Sequence, residues 1–195
     1  MIVSTSAAGL RCVLDAKASL GECPTWSVAE QVLYWVDINA PSLNRFDPAT
    51  GENIVMPMPE SIGCCALRRS GGFTAHAYDP ATGTPLNARI FARFTDPGDR
   101  PDGAAVDSEG CYWTAQYRGG KLKRMAADGR LLSEFPLPAM CPTMCAFGGP
   151  DLRTLYVTSA RQQRDAEELA RLPLSGGIFS MRVRVPGLPE PSFAG

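Results

Sequence analysis

The pentapeptide Asp-Pro-Ala-Thr-Gly occurs twice, at Asp47–Gly51 and at Asp79–Gly83. A related turn, Ala126-Ala127-Asp128-Gly129, lies between "KLKRM" and "RLLSEF". In such turns Asp bonds the backbone ahead of it, Pro presets φ, and Gly takes the positive φ that closes a hairpin. The flanking segments are short and apolar or β-branched, as in "LNRF" and "NIVM" around the first copy. One strand–turn–strand element therefore recurs, and the chain reads as copies of one unit.

What precedes each turn also recurs. "CPTWS", "GCCALRRS", "DGAAVDSEG" and "PTMCAFGGPD" lead into "VLYWVDI", "GFTAH", "CYWTAQ" and "TLYVTSA" respectively. The second group is aromatic and β-branched, which favours strands. The units begin near Glu22, Ser61, Asp102 and Pro142. Their spacing of about forty residues is that of one four-stranded propeller blade. The expected fold is all-β, a single β-propeller domain over residues 1–195. Its four blades are expected at about 22–59, 60–97, 98–138 and 139–185. The last blade lacks an outer strand, and Arg11 to Ala18, "RCVLDAKA", has no partner in the first blade. Pairing the two closes a ring and removes a sheet edge. "RQQRDAEELARL", Arg161 to Leu172, reads as a short polar helix inserted in the last blade.

The many Gly and Pro residues agree with a turn-rich chain. Net charge is −1, which gives no reason to expect nucleic acid or an acidic surface as partner. No apolar run is long enough to cross a membrane as a helix, and no basic-then-apolar leader opens the chain, so the expected location is cytoplasmic. The seven cysteines lack a paired CxxC pattern and read as small buried residues in a reducing compartment rather than as a thiolate metal site.

"LGECPTWSVAEQVLYWVDINAPSLNRFDPATG", "RPDGAAVDSEGCYWTAQYRGGKLKRMAADG" and "PTMCAFGGPDLRTLYVTSAR" followed by "ARLPLSGGIFSM" together cover most of the chain. They resemble the gluconolactonase/regucalcin family, with its GEGPxW, LYWVDI, RYDPxTG and PDGxxVDxEGxxW patterns. The resemblance implies a propeller, a divalent metal at the mouth of the central channel, and hydrolysis of sugar lactones. It also implies that about two of six blades are absent. The family's RxNDG and NGxxxSPD segments, which supply a substrate-binding Arg and Asn and an Asn metal ligand, have no counterpart. Both would fall between "GGFTAH" and "AYDPATG", which puts a join near His76 and Ala77.

Inner propeller strands start at one face, so acidic residues at their starts converge. Glu22 and Asp102 are placed just before the first and third inner strands, and two carboxylates facing one channel suit a hard cation. By resemblance, Glu22 in GECP matches the metal-binding Glu. Asp102 in PDG matches the Asp that both binds metal and acts as general base. The implied cofactor is a divalent ion (calcium, zinc, manganese or magnesium), and the implied chemistry is metal-assisted hydrolysis of a small sugar lactone in carbohydrate metabolism. The alternative is a non-catalytic metal- or ligand-binding propeller, and a ring that fails to close would self-associate rather than remain monomeric. Trp26, Trp35 and Trp113 are expected between blades, and Asp37, Asp47 and Asp107 at strand ends or turns. His76 is expected to be a strand residue, Arg118 a solvated loop residue, and Thr143 a residue lining the channel.

Overall fold

The computed structural model describes residues 9–67, 73–75, 92, 94, 98 and 100–190. Among them are fourteen strands and one helix. The first blade is β2 (Gly21–Ser27), β3 (Val32–Asp37), β4 (Ser42–Phe46) and β5 (Asn53–Pro57), antiparallel in that order. Two strands of the second blade follow, β6 (Cys65–Leu67) paired with β7 (Phe73–Ala75). The third blade is β8 (Pro101–Val106), β9 (Tyr112–Gln116), β10 (Lys121–Met125) and β11 (Leu131–Pro136). The last is β12 (Cys141–Gly148), β13 (Thr154–Ala160) and β14 (Ile178–Arg182), completed on its outer edge by β1 (Arg11–Leu14). Arg11 pairs with Ser180 and Cys12 with Phe179, so the expected exchange between the two ends of the chain is present. The chain is an all-β propeller of four-stranded blades. The expected outer strands of the second blade, the second Asp-Pro-Ala-Thr-Gly turn, His76 and Ala77 lie outside the described residues.

The turns form as their residues dictate. Asp47 accepts the amide of Ala49 on its side chain at 2.8 Å and that of Gly51 on its carbonyl at 2.8 Å, and Gly51 takes φ 78°. At the third-blade turn Gly129 takes φ 89°. The inserted helix α1 (Ala166–Arg171) is capped by Asp165, whose carboxylate accepts the Glu168 amide at 2.7 Å.

The core lies between blades rather than within one sheet. Every residue of β3 is buried because both faces are covered. Strand alternation then divides its side chains. Leu33 and Trp35 join Trp26, Phe46, Tyr156 and Ile178 toward the last blade. Val32, Tyr34 and Val36 join Leu43, Ile62 and Cys65 toward the second. A third cluster, with Trp113, Leu122, Phe147, Leu155 and Phe179, joins the third and last blades. Trp26 stacks on Tyr156 with ring centroids 5.6 Å apart, and all three tryptophans are buried between blades as expected.

One expectation is corrected. Glu22 and Asp102 are expected just ahead of the first and third inner strands. Those strands begin at Gly21 and Pro101, so both acidic residues lie inside them, and the last inner strand begins at Cys141. The prolines in these first turns of strand resemble breakers in sequence. Here they sit on the innermost strands of the first, third and last blades, each of which has a ladder on one side only.

Phe179 is fully buried and belongs to the cluster between the third and last blades. Phe179→Ala is expected to cost about 3–5 kcal/mol in urea denaturation. Val55, 56% exposed on the outermost strand of the first blade, is expected to tolerate Ala within about 0.5 kcal/mol.

Candidate metal and catalytic site

The inner strands of the first, third and last blades each break register near their starts. In β2 the pairing with β3 shifts between Glu22 and Thr25. In β8 the pairing with β9 shifts between Pro101 and Ala104, across Asp102 and Gly103. In β12 the pairing with β13 shifts between Pro142 and Cys145, across Thr143 and Met144. Bulges re-aim side chains and recur beside active sites. Here they surround the positions of both candidate carboxylates.

The packing that brings these strands together is tight. A β-carbon on Gly103 would lie 2.4 Å from Met144 Cγ and 2.9 Å from Met144 Cα, so β8 reaches β12 only because residue 103 has no side chain. A β-carbon on Gly21 would lie 2.9 Å from the Ser159 carbonyl oxygen. Each candidate carboxylate thus adjoins a glycine pressed against the last blade. Asp37 fixes the approach to Glu22, its carboxylate accepting the amides of Ser19 at 2.7 Å and Leu20 at 3.0 Å. Thr143 is fully buried and does not line a channel as expected. Its hydroxyl donates to the Gly21 carbonyl at 2.5 Å and lies 2.8 Å from the Thr158 hydroxyl, so it braces the strand that carries Glu22. Arg118 is exposed at the β9–β10 turn, as expected of a solvated loop residue.

Glu22 is half-buried and Asp102 exposed. Burial, then the negative charge of Asp102, pushes the Glu22 carboxyl from 4.5 up to about 7. Partial desolvation also raises Asp102. Glu22 therefore feels the charge of Asp102, and a cation beside the two would relieve both that charge and the burial. Carboxylate oxygens are the donors a hard divalent ion prefers, and Glu22 and Asp102 are the residues that would hold one here.

Beside Glu22, Cys23 takes φ 47° in the β2 bulge. The hydrogen bond from the Cys65 side chain lowers the Cys23 thiol below its ordinary value, and the same bond raises Cys65. The sequence pattern did not single out this pair, because the two residues come from different blades.

A second acidic cluster, Asp107, Glu109 and Cys111, brings its ligand atoms within 4.8 Å of one another. Arg124 already fills it, with Nη2 2.7 Å from Asp107 Oδ2 and 3.0 Å from Glu109 Oε2. Trp113 Nε1 donates to Asp107 at 2.9 Å. Burial alone would raise Asp107, but the bonds from Trp113, Arg124 and the Cys111 amide outweigh it and hold the carboxyl low. Asp107 is thus a buried strand-end residue, as expected. Cavities of about 580 and 710 Å³ lie elsewhere, one along β1 and one around Phe94, Val106 and Tyr112; neither is lined by Glu22 or Asp102.

The sequence profile described as SMP-30/Gluconolactonase/LRE-like region matches residues 20–77 and 73–161. The two matches meet at 73–77, where the join near His76 and Ala77 was expected. The chain is 36% identical to 6-deoxy-6-sulfogluconolactonase of Pseudomonas putida, covering 95% of this chain and 99% of that one. That alignment runs over 289 positions, more than the 195 residues present here, so the relative carries internal sequence without a counterpart in this chain. Regucalcin of Oryctolagus cuniculus is 32% identical over 172 residues, covering 87% of this chain and 48% of that one. The chain thus spans about half the length of that relative. Among solved structures, the calcium-binding protein regucalcin of Agrobacterium tumefaciens matches with TM-score 0.86 at 19% identity over 100% of both chains. At that identity the match bears on fold alone.

The Glu22 shift sets a pH dependence for the metal-free protein. Its carboxyl in the fold, at about 7, lies above the ordinary 4.5. Between those values the folded state holds the extra proton, so stability falls as pH rises and the full cost applies above about pH 7. In chelator, Glu22→Gln is expected to stabilise the protein by about 1–3 kcal/mol near pH 8 and to leave it almost unchanged near pH 5. Denaturant titrations of both proteins at the two pH values check this.

Proposed function

Because the chain belongs to the SMP-30/gluconolactonase/LRE-like family, we propose that it hydrolyses a sugar lactone at a divalent metal site held by Glu22 and Asp102. The observation that carries this reading is that the inner strands bearing Glu22 and Asp102 both break register beside these carboxyls, with the Asp102 charge helping to raise Glu22. The relative at 36% identity, a 6-deoxy-6-sulfogluconolactonase, supports the substrate class.

The chemistry such a cation supplies when bound is polarisation of the lactone carbonyl and neutralisation of charge that develops on its oxygen. The protein's part falls to its own residues. Glu22, braced through Gly21 by Thr143, is held rigidly as an oxygen donor. Asp102, exposed to solvent, is the general base that takes a proton from the attacking water. Opening of the ring then leaves a hydroxy acid, whose new carboxylate is repelled by the same acidic pair. Desolvation raises the Asp102 carboxyl toward the working pH, which strengthens it as a base.

A second reading is favoured by one observation. The 36% identical relative carries internal sequence without a counterpart here, and the resemblance implies that the segments this chain lacks include those that bind substrate. In that reading the propeller binds the cation and turns over little or no lactone.

Calorimetric titration with calcium, manganese and zinc, followed by hydrolysis assays on glucono- and xylonolactone with and without chelator, separates the two. Chelator-sensitive turnover is expected, with Asp102→Asn lowering kcat by about 100-fold or more while the fold is kept. Turnover indifferent to that substitution would overturn the mechanism. Metal binding without turnover would select the second reading.

A further inference from the structure

Cys23 and Cys65 meet across the boundary between the first two blades, 42 residues apart in sequence. The Cys65 amide donates to Cys23 Sγ at 3.3 Å. The Cys23 thiol reaches the Cys65 carbonyl at 3.5 Å, and the Cys65 thiol reaches the Cys23 carbonyl at 3.9 Å. Both sulfurs also approach one hydroxyl, Thr25 Oγ1, at 3.9 and 4.0 Å. Each side chain therefore lies against the other's backbone, and the two sulfurs occupy one small space. Neither is in a disulfide. Buried cysteines that merely pack do not need this reciprocity, which draws two separate blades onto one pair of thiols.

We propose that Cys23 and Cys65 form an oxidisable pair that takes up a hydroperoxide and becomes a disulfide joining the first and second blades. Cys23 is only half-buried and Cys65 is buried, so the oxidant reaches Cys23 first. The Cys23 sulfur attacks one peroxide oxygen, the O–O bond breaks, and Cys23 becomes a sulfenic acid as the first water or alcohol leaves. The Cys65 sulfur then attacks Cys23, the S–O bond breaks, an S–S bond forms, and a second water leaves. Two thiols lose two electrons and the peroxide gains them. The bond crosses from the bulge of β2 to the start of β6, one residue from Glu22, and ties a boundary that is otherwise held by packing. It makes no use of metal or lactone, so its failure leaves the reading of Glu22 and Asp102 untouched.

The full chain, treated with a few equivalents of hydrogen peroxide, is digested under acid conditions and its linked peptides are mapped by mass spectrometry. The expected result is a peptide pair joining Cys23 to Cys65, with two of the seven thiols lost to titration in denaturant and regained with dithiothreitol. The apparent melting temperature should rise on oxidation and return on reduction. Cys64→Ser should keep the link, whereas Cys23→Ser and Cys65→Ser should each abolish it and the thermal shift. Seven intact thiols, a Cys23–Cys64 link, or sulfinic acid accumulating on Cys23 without a link would each overturn the proposal. The wild-type map decides the matter even where a cysteine variant fails to fold.

Discussion

The close approach of the third blade to the last depends on a side chain that is not there. With a β-carbon at residue 103, β8 would have to back away from Met144, and the bulge that carries Asp102 would move with it. Gly21 imposes the same condition on the other side, against the backbone of Ser159. The two candidate carboxylates are therefore positioned by close packing at the neighbouring glycines, Gly21 against the Ser159 backbone and Gly103 against Met144. Thr143 and Asp37 then remove the remaining freedom near Glu22 by binding the backbone around it. Position comes first in this site, and charge follows from it. The Asp102 charge reaches Glu22 across the boundary that these close-packed strands define.

Much of the architecture is legible in the sequence because its signals are local. Hairpin turns need Asp and Gly at fixed offsets, and "VLYWVD" reads as a strand because aromatic and β-branched residues dominate it. The pairing of β1 with β14 is legible by a different route: one blade lacked a strand and one strand lacked a blade. The inner-strand starts were not legible. Pro24, Pro101 and Pro142 resemble breakers, and nothing local reports that they lie on the one strand of each blade whose inner edge needs no partner. Glu22 and Asp102 stand out as candidates in the sequence, but their place inside bulged strands does not.

What the sequence hid most completely was cross-blade chemistry. Thr143 reads as a channel residue because it stands at the start of the last inner strand, yet its hydroxyl is buried against Gly21. Cys23 and Cys65 looked like unrelated small residues, since no spacing rule connects positions in different blades. In both cases the partner is set by how neighbouring sheets are stacked, and stacking leaves no periodic trace along one chain. Asp107 shows the reverse. Its bonds are made within its own blade, to Trp113 and Arg124, and its place at a strand end was readable.

The pairing of β1 with β14 has a consequence for how the molecule is made. Arg11 finds Ser180 only after nearly the whole chain between them is available, so the last blade cannot be finished by local folding. Closing so long a loop adds an entropic barrier that short-range hairpins do not face. During synthesis, the strand Ile178–Arg182 stays an open edge until the first segment returns to cover it, while the hairpins of the first and third blades are free to form. The slow and aggregation-sensitive moment of folding therefore belongs to the blade that also holds the site's strands together.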